Sequence, residues 1–583
     1  MSERSSSECS QQAIDALNRS EVTVGTRKSK LALWQTAAAI AELSKRFPQV
    51  KFQTRQFTTK GDRTLDQPLP EIGGKGLFTA ELDKAICDGE IDLAIHSLKD
   101  LPTTSPAGIS IAPVLDREDA RDVLVSRSNL KLHELPADAI IGTSSPRRQM
   151  QIMNLRPDVQ CRPIRGNVPT RIRKVRDGEY DATVLAAAGV NRLGLQAEVA
   201  QWFELDEILP APGQAMMAAT FRSDDALILE LVNALSSRQD NDCVAAERTV
   251  LSLLGGGCAA PIAACASVDA DRQMTLTARI GLLDGKSSLI DSACGSDGIE
   301  LARQLTEKLT RSGAELFINQ DLQHSLKDKR IVVSRAPEQC EEFAALLRAT
   351  GAVPIVMPSI EFRSVVTEET TEQLRSALQT ADWIIFTSRN AIRFFFAALE
   401  DAPPIRAETR IACVGSRSAA SLSEWRLTPD FVPRRFSGDT FAAEFAEYIA
   451  ADSAPPHSPK ILYPSAVKIA TDLPKSLEAH GCQVNRIPVY ETLEPSLSES
   501  SLDELRAGVD VVTFASPSAA RSFSRQVKAA GLGPDLLKTS CVACIGEMTA
   551  QIAQECEVAV DIVPEQSTLA SLVLAIIKKY KNK

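Results

Sequence analysis

No run in this 583-residue chain approaches the roughly 18 apolar residues that a membrane-spanning helix needs, so no span is expected. Basic residues are also in deficit. With 65 Lys and Arg against 75 Asp and Glu, the formal net charge is −10, which argues against a general nucleic-acid binder and makes any basic cluster a local anion site. The five histidines, His96, His133, His324, His457 and His480, are too scattered for a zinc pattern, and no metal site is expected. The 13 cysteines lack the pairing and spacing of a secreted disulfide framework. The one Cys-x-x-Cys pair, Cys541 and Cys544, lies in an apolar run that reads as a buried strand, where residues three apart face opposite ways; redox or metal use is not expected there. A phosphate loop of the G-x4-G-K-[ST] type is missing too. Gly73-Gly74-Lys75-Gly76 lacks that spacing and Gly281 to Ser287 reads as a hairpin turn, so nucleotide binding is rejected. Met1 to Ser20 is polar and Ser-rich without a signal-peptide apolar core, and reads as a flexible extension of a cytoplasmic protein.

What is present is a chain 44% hydrophobic and 24% charged. Its length suggests several domains, at about 150 residues each. Strand and helix patterns alternate: Val22 to Thr26 reads as a strand, Lys30 to Arg46 as a helix, Ile91 to Ile95 as a strand followed by a loop holding Asp100. Alternation of this kind predicts α/β domains with largely parallel sheets, whose ligands bind beyond the carboxyl ends of strands. Thr275 to Cys294 differs, with two β-rich runs around the tight-turn pair Asp284-Gly285, then a helical pattern from Glu300 to Ser312. Asn319 to Lys329 is polar and charged, and reads as a linker.

The part beyond that linker contains an internal repeat. Asp382 to Ala391 matches Asp510 to Ala519, Cys413-Val414-Gly415 matches Cys544-Ile545-Gly546, and Ile331 to Pro358 matches Ile461 to Pro488 with Gly351 and Gly481 in register. Two similar α/β lobes with a cleft between them would follow; convergent strand-turn-helix grammar is the plainer alternative.

Candidate site residues cluster after predicted strands. Cys258 follows Gly255-Gly256-Gly257, which strip side chains away from a thiol; the plainer reading is a buried small apolar residue. Ser145, Arg147 and Arg148 open a helical run after an apolar strand, where N–H groups, hydroxyls and guanidiniums favour carboxylates. Arg165 and Arg171, and Arg27 with Ser29, repeat the arrangement; a solvated surface charge is the alternative for each arginine. Asp100, in His96-Ser97-Leu98-Lys99-Asp100, could stabilise a developing cation or handle a proton, or simply cap a loop.

At these residues, about 22 to 318 resembles the porphobilinogen deaminase family. The motifs that carry the resemblance are Gly25-Thr26-Arg27-Lys28-Ser29, Gly73 to Phe78, His96 to Asp100, Gly142 to Arg148, Ile164 to Arg171 and Gly256-Gly257-Cys258, and their order over some 300 residues makes it specific. The resemblance implies a dipyrromethane cofactor attached by a thioether to Cys258, and condensation of four porphobilinogens to hydroxymethylbilane with loss of ammonia. It implies that Asp100 is catalytic, that Lys99, Ser145, Arg147 and Arg148 bind the cofactor, and that Arg27, Ser29, Arg165, Arg171 and Arg192 bind substrate carboxylates. Three departures stand out: Glu71 before the glycine loop, Ala215 where relatives usually carry glycine, and Ala259-Ala260 after the cysteine. If position 215 needs a positive φ, alanine there would strain the hinge.

About 328 to 583 resembles the uroporphyrinogen-III synthase family, on Phe386-Thr387-Ser388, Val414-Gly415, Pro488 to Thr492, Phe514 to Ser518 and Gly546 to Ala550. This implies closure of hydroxymethylbilane to uroporphyrinogen III with inversion of the last ring. Tyr490 could protonate the departing hydroxyl or be a packing tyrosine. Thr387, Ser388, Ser416, Ser516, Ser518 and Thr549 could bind carboxylates or cap turns.

The fold that the two resemblances imply is α/β. It has two periplasmic-binding-protein-like α/β domains (21–115 plus 216–235, and 116–215) and a small α+β domain (236–318) carrying the cofactor cysteine. After the linker (319–329) comes a two-lobed α/β half (330–360 plus 491–583, and 361–490). A bifunctional monomer acting on porphobilinogen and hydroxymethylbilane, with no nucleic-acid or membrane partner, is the expectation. The alternatives are a two-lobed anion-binding or effector-sensing module, and an active deaminase with a degenerate second half.

Overall fold

The computed structural model describes residues 21–63, 79–235, 238–256, 260–335, 337–358, 361–399, 405–406, 408–425, 427–433, 438–451, 458–469, 472–493, 497–532 and 540–581. Cys258, Glu71 and the Gly73–Gly76 loop lie outside them. Among the described residues five sheets carry the fold, three in the first half of the chain and two in the second.

The first sheet has the order β2-β1-β3-β10-β4, made of β1 (Glu21–Arg27), β2 (Lys51–Phe57), β3 (Leu93–Ser97), β4 (Ile109–Val114) and β10 (Met217–Arg222). Strands β1, β2 and β3 are parallel, and β10 returns antiparallel between β3 and β4. The second sheet, β7-β6-β8-β5-β9, repeats this plan with β5 (Asp122–Ser126), β6 (Ile140–Gly142), β7 (Gln160–Arg162), β8 (Ala182–Ala186) and β9 (Gln201–Trp202). The chain therefore crosses from first sheet to second between β4 and β5, and returns between β9 and β10. A third, antiparallel sheet holds β11 (Ile262–Val268), β12 (Met274–Gly281) and β13 (Ser288–Gly295). Its hairpin turns at Asp284-Gly285, with Gly285 at φ +70°, a conformation that favours glycine.

Local chemistry explains the elements. Ser29 caps the helix Lys30–Arg46 by accepting from Ala32 N, and the helix buries Ala32, Gln35, Thr36, Ala39 and Leu43 at helical spacing against the sheet. Asp297 caps Gly298–Arg311 by accepting from Ile299 N and Glu300 N, and Leu301, Leu305 and Leu309 form its buried stripe. Val22, Val24, Leu93, Ile95 and Phe221 meet Leu227, Ile228 and Leu231 in the core of the first sheet. Each such side chain contributes about 1.5–3 kcal/mol by leaving water.

The fourth sheet, β15-β14-β21-β22, contains β14 (Arg330–Val333), β15 (Val353–Val356), β21 (Val511–Phe514) and β22 (Cys541–Cys544). The fifth, β16-β20-β19-β17-β18, contains β16 (Glu361–Ser364), β17 (Trp383–Phe386), β18 (Arg410–Cys413), β19 (Lys460–Ala466) and β20 (Gln483–Leu493). The sequence repeat reappears in their hydrogen bonds. Asp382 accepts from Lys460 N as Asp510 accepts from Arg330 N, both at 2.8 Å. Asp430 accepts from Ile411 N as Asp561 accepts from Val542 N. Ser388 and Ser516 cap the equivalent helices, and Gly351 and Gly481 turn the chain at φ +82° and +85°. Cys544 is a buried free thiol.

The chain divides into two compact units. The first comprises Met1–Lys329 together with Ala345–Val353 and Glu565–Lys583; the second comprises Arg330–Ala344 and Pro354–Pro564. Within the first unit, the polar stretch read as a linker is structured. It carries the short helix Gln320–Gln323, Leu326 is fully buried, and Leu326 N and Asp328 N donate to Thr350 O and Gly351 O at 3.0 Å. Among the described residues no helix is long and apolar enough to cross a membrane.

Candidate functional site

In the first unit the candidate residues gather around one turn. Strand β3 ends at Ser97, and Leu98–Asp100 forms a single 3-10 turn. Buried Leu98 anchors it, its N–H donating to Met216 O at 2.9 Å. Arg248, from the helix Arg238–Leu253, donates to Leu98 O at 3.2 Å and also to Leu101 O and Pro102 O. The turn is thereby fixed from two directions, and Asp100 stands exposed on it. Lys99 Nζ donates to Gln214 Oε1 at 3.1 Å. Burial and then the neighbouring Arg148 bring the Lys99 ammonium down to about 8, against the pull of Asp100 and Asp122.

Arg147 and Arg148 occupy the first turn of the helix Pro146–Leu155, which Ser145 caps by accepting from Arg148 N. Both guanidiniums are buried on a protein carboxylate. Arg147 Nη1 donates to Asp122 Oδ2 at 2.7 Å; Arg148 donates to Oδ1 at 2.7 Å through Nη2 and to Oδ2 through Nε. Burial alone would raise the Asp122 carboxyl, but the two arginines hold it well below the usual carboxylate range. Arg147 Nε is buried with no acceptor.

Arg165 follows β7, and Arg171 lies in the helix Val168–Arg176, its Nε donating to Gly166 O at 2.8 Å. Burial, then the charges of Arg148 and Arg165, lower the Arg171 guanidinium to about 10, while Asp100 counteracts them. These mutual influences place Lys99, Asp100, Arg148, Arg165 and Arg171 in one cluster. Arg27 ends β1 close enough to His96 to add to the burial that takes that imidazole down to about 4. Ser29 is spent as a helix cap. Arg192 is buried and engaged, donating to Glu118 Oε1 and Ala215 O at 2.8 Å and lying over the Trp34 ring.

Around Cys258 the described residues stop at Gly256 and resume at Ala260. The helix Arg238–Leu253 ends at Gly255, with φ +66°, and Gly256 is so enclosed that an added Cβ would meet Ile262 at 2.4 Å. Glu247 on that helix is fully buried: Arg117 donates to it from two nitrogens, Gly213 N at 2.7 Å and Ala266 N at 2.8 Å. The third sheet is thus tied to the return crossover.

Sequence reasoning missed Asp122, Gln214, Glu247 and Arg248. A strand that opens on a charged residue, Asp122-Val123-Leu124-Val125, was a usable sign for the first. The others are paired across 19 to 150 residues, a separation over which local pattern carries no information.

In the second unit, Tyr490 is buried on β20 with its Oη 3.2 Å from Ser388 Oγ. Its ring stacks on Phe394 and meets Phe362 edge-on. Ser388 also caps the helix Arg389–Ala397. Neighbouring Thr387 hydrogen-bonds the Tyr463 phenol, which burial pushes up. Ser516 caps Pro517–Ala529 and lies 3.1 Å from Ser518 Oγ. Thr549 is buried in the helix Glu547–Glu555. Ser416 opens the helix Ser416–Ser421; its side chain lies outside the described residues. Tyr490 lies on a strand of the fifth sheet and Thr387 and Ser388 follow another, while Ser516, Ser518 and Thr549 follow strands of the fourth.

A pair of sheets with the same strand plan, bearing a cationic cluster with more guanidinium and ammonium than carboxylate, defines a two-lobed α/β protein suited to a polycarboxylate ligand. Residues 22–230 match the family model "Porphobilinogen deaminase, dipyromethane cofactor binding domain", residues 242–312 the porphobilinogen deaminase C-terminal domain, and residues 341–574 "Uroporphyrinogen-III synthase HemD". Porphobilinogen deaminase of Brevibacillus brevis is 43% identical over 291 residues, which is 50% of this chain and 94% of that protein. The Geobacter metallireducens deaminase is 42% identical, covering 54% of this chain and 99% of its own. Among solved structures, a mutant uroporphyrinogen III synthase from Thermus thermophilus covers 44% of this chain and 100% of its own at 19% identity and a TM-score of 0.32. The Helicobacter pylori uroporphyrinogen-III synthetase covers 43% and 99% at 17% identity and a TM-score of 0.30. The chain belongs to the porphobilinogen deaminase family, with a uroporphyrinogen-III synthase domain following in the same polypeptide. It is a bifunctional enzyme of heme biosynthesis with a dipyrromethane cofactor-binding domain, and the binding-module reading is not favoured.

Proposed function

We propose that Asp100 carries porphobilinogen condensation, that Cys258 anchors the dipyrromethane, and that Lys99, Arg27, Arg165 and Arg171 hold the carboxylates. The observation behind this is the cluster itself: burial first, and then the charges of neighbouring arginines, lower the proton affinity of Lys99 and Arg171 beside the Leu98–Asp100 turn, as in a site that an anion would relieve. That excess of positive charge, and a buried Arg147 Nε without an acceptor, fit a cofactor bearing acetate and propionate groups. Bound there, the cofactor supplies the pyrrole chain that is extended.

Each addition breaks a C–N bond with loss of ammonia, joins the freed methylene to a pyrrole α-carbon and releases the α-proton. The exposed Asp100 carboxylate faces the positive charge that develops as ammonia leaves, and can take the proton. Arg147 and Arg148 stand behind, charge-balanced in part by Asp122, and Ser145 fixes the start of their helix. Arg192 orients the return crossover through Ala215 O as well as adding charge. In the second unit, Tyr490 gives a proton to the departing hydroxyl of hydroxymethylbilane and is aimed by Ser388. Thr387, Ser416, Ser516, Ser518 and Thr549 supply hydroxyl and backbone donors. The five sheets support the division into three deaminase domains and two synthase lobes.

The test is intact mass of the full chain with porphobilinogen turnover. An adduct of two pyrrole units is expected on the wild type and none on Cys258→Ser, and Asp100→Asn should load but not turn over. An unmodified chain inert to porphobilinogen would refute the assignment.

A further inference from the structure

Gln214 is fully buried in the segment that returns the chain from the second sheet to β10. Its amide nitrogen donates to Ala120 O at 2.7 Å and to Asp122 Oδ1 at 2.8 Å. Its amide oxygen accepts from Lys99 Nζ at 3.1 Å and from Arg147 Nη2 at 3.5 Å. The partners set the orientation: turned over, the NH2 would face two cations and the oxygen a carbonyl and a carboxylate. Ala120 and Asp122 lie where the chain passes out to the second sheet, Lys99 on the turn after β3, and Arg147 on the helix after β6. One side chain therefore joins both crossovers and both sheets. Its own carbonyl accepts from Arg117 Nε at 3.0 Å, and Gly213 and Ala215 on either side hold φ of +72° and +73°.

We propose that Gln214 is a positioning residue for porphobilinogen condensation, holding the Lys99 ammonium and the Leu98–Asp100 turn against the Asp122–Arg147–Arg148 cluster of the second sheet. This rests on the reading that Lys99 and Asp100 act in that reaction. Only a neutral amide of this length meets the four partners. A carboxylate would draw Lys99 into an ion pair and oppose Asp122; an apolar chain would take an acceptor from Lys99 and a donor from Asp122. The charged groups facing Lys99 are Asp100 on its own turn, Arg147 and Arg148 from their helix, and Asp122 from β5. With Lys99 brought to about 8 by burial and Arg148, its charge is lost at the alkaline edge of the working range.

The experiment is the pH profile of kcat/KM for porphobilinogen consumption by the full-length, cofactor-loaded chain, as wild type, Gln214→Glu and Gln214→Met. The added carboxylate favours the ammonium, so the alkaline limb of Gln214→Glu moves up by about one pH unit. Methionine removes a hydrogen bond that favours the charged form, so the limb of Gln214→Met moves down. A side chain that merely filled space would lower the rate or the Tm and leave the limb in place. Limbs unmoved in folded variants overturn the proposal; if one variant does not fold, the direction of the other decides. Asp100→Asn separates the two levels. If it is inactive while the limbs stay put, Gln214 alone fails; if it turns over at the wild-type rate, the underlying reading fails with it.

Discussion

Asp122 and Arg148 form a two-point ion pair, with Nη2 to Oδ1 at 2.7 Å and Nε to Oδ2 at 3.2 Å, and neither residue is more than 6% exposed. Arg147 adds a third bond to the same carboxylate. Breaking such a group from one side is costly because it strands buried charge, by about 3–5 kcal/mol. Asp122→Asn should lose that much stability. The Asp122 carboxyl is depressed in the folded chain, so its contribution is complete above the ordinary value of 3.8 and fades only as pH falls through the folded one. Urea unfolding at pH 5, 5.5 and 6, well below the value of about 8 to which Lys99 is brought, should show the same gap between wild type and variant, and a gap that closes between pH 6 and 5 would contradict this.

Ala215 sits at φ +73°, where a Cβ costs about 1–2 kcal/mol. Its carbonyl is held there by Arg192 Nη2. Ala215→Gly relieves that strain and gives back about 0.4–1 kcal/mol through the freer unfolded chain. A net gain of several tenths of a kcal/mol is expected, read as a higher Tm with the Arg192 contact intact. A lower Tm would mean that the methyl group earns its place by packing.

How much of this could be read beforehand depends on distance along the chain. Ser29, Asp297 and the Asp284-Gly285 turn act within a few residues, and their helices and hairpin follow directly from local pattern. The repeat was visible because equivalent backbone positions need equivalent chemistry, as Asp382 and Asp510 show. Arginines after strand ends were visible too, but not what they hold. Arg147 and Arg148 reach Asp122 across 25 and 26 residues, and Lys99 reaches Gln214 across 115. The Asp122 pairings join separate strand-helix units of the second sheet, the Lys99–Gln214 pairing is a product of the crossover between sheets, and no spacing rule in one strand-helix unit contains either. Leu326 shows what composition leaves out: the polar segment reads as a linker between two halves, and one apolar side chain and two backbone hydrogen bonds tie it down.

Tyr490 can be separated from its packing role with one atom. Tyr490→Phe keeps the stack on Phe394 and the edge contact with Phe362, and removes only the bond to Ser388 Oγ. Stability should change by no more than about 0.5–1.5 kcal/mol. If the phenol delivers the proton, kcat for ring closure of hydroxymethylbilane falls by roughly 10²–10⁴ while porphobilinogen consumption is untouched. Unchanged ring closure in a folded variant would reduce Tyr490 to a packing residue.

The last helix of the chain, Leu569–Lys581, belongs to the first compact unit, and its removal should weaken the first activity. Leu572, Val573, Ile576 and Ile577 are all at most 3% exposed. Each is worth about 1.5–3 kcal/mol of burial. Gly313 marks where this helix is admitted: at φ +96° it closes the helix Gly298–Arg311, and an added Cβ would lie 2.9 Å from Leu346 Cδ2 and 3.2 Å from Ala570 Cβ. Gly313→Val combines the left-handed strain of about 1–2 kcal/mol with overpacking of about 1–3 kcal/mol. Both Gly313→Val and a chain ending at Pro564 should lose porphobilinogen-consuming activity at a lower temperature than the wild type, measured as residual activity after heating. If only ring closure suffers while that temperature stays fixed, the helix stabilises the second unit alone.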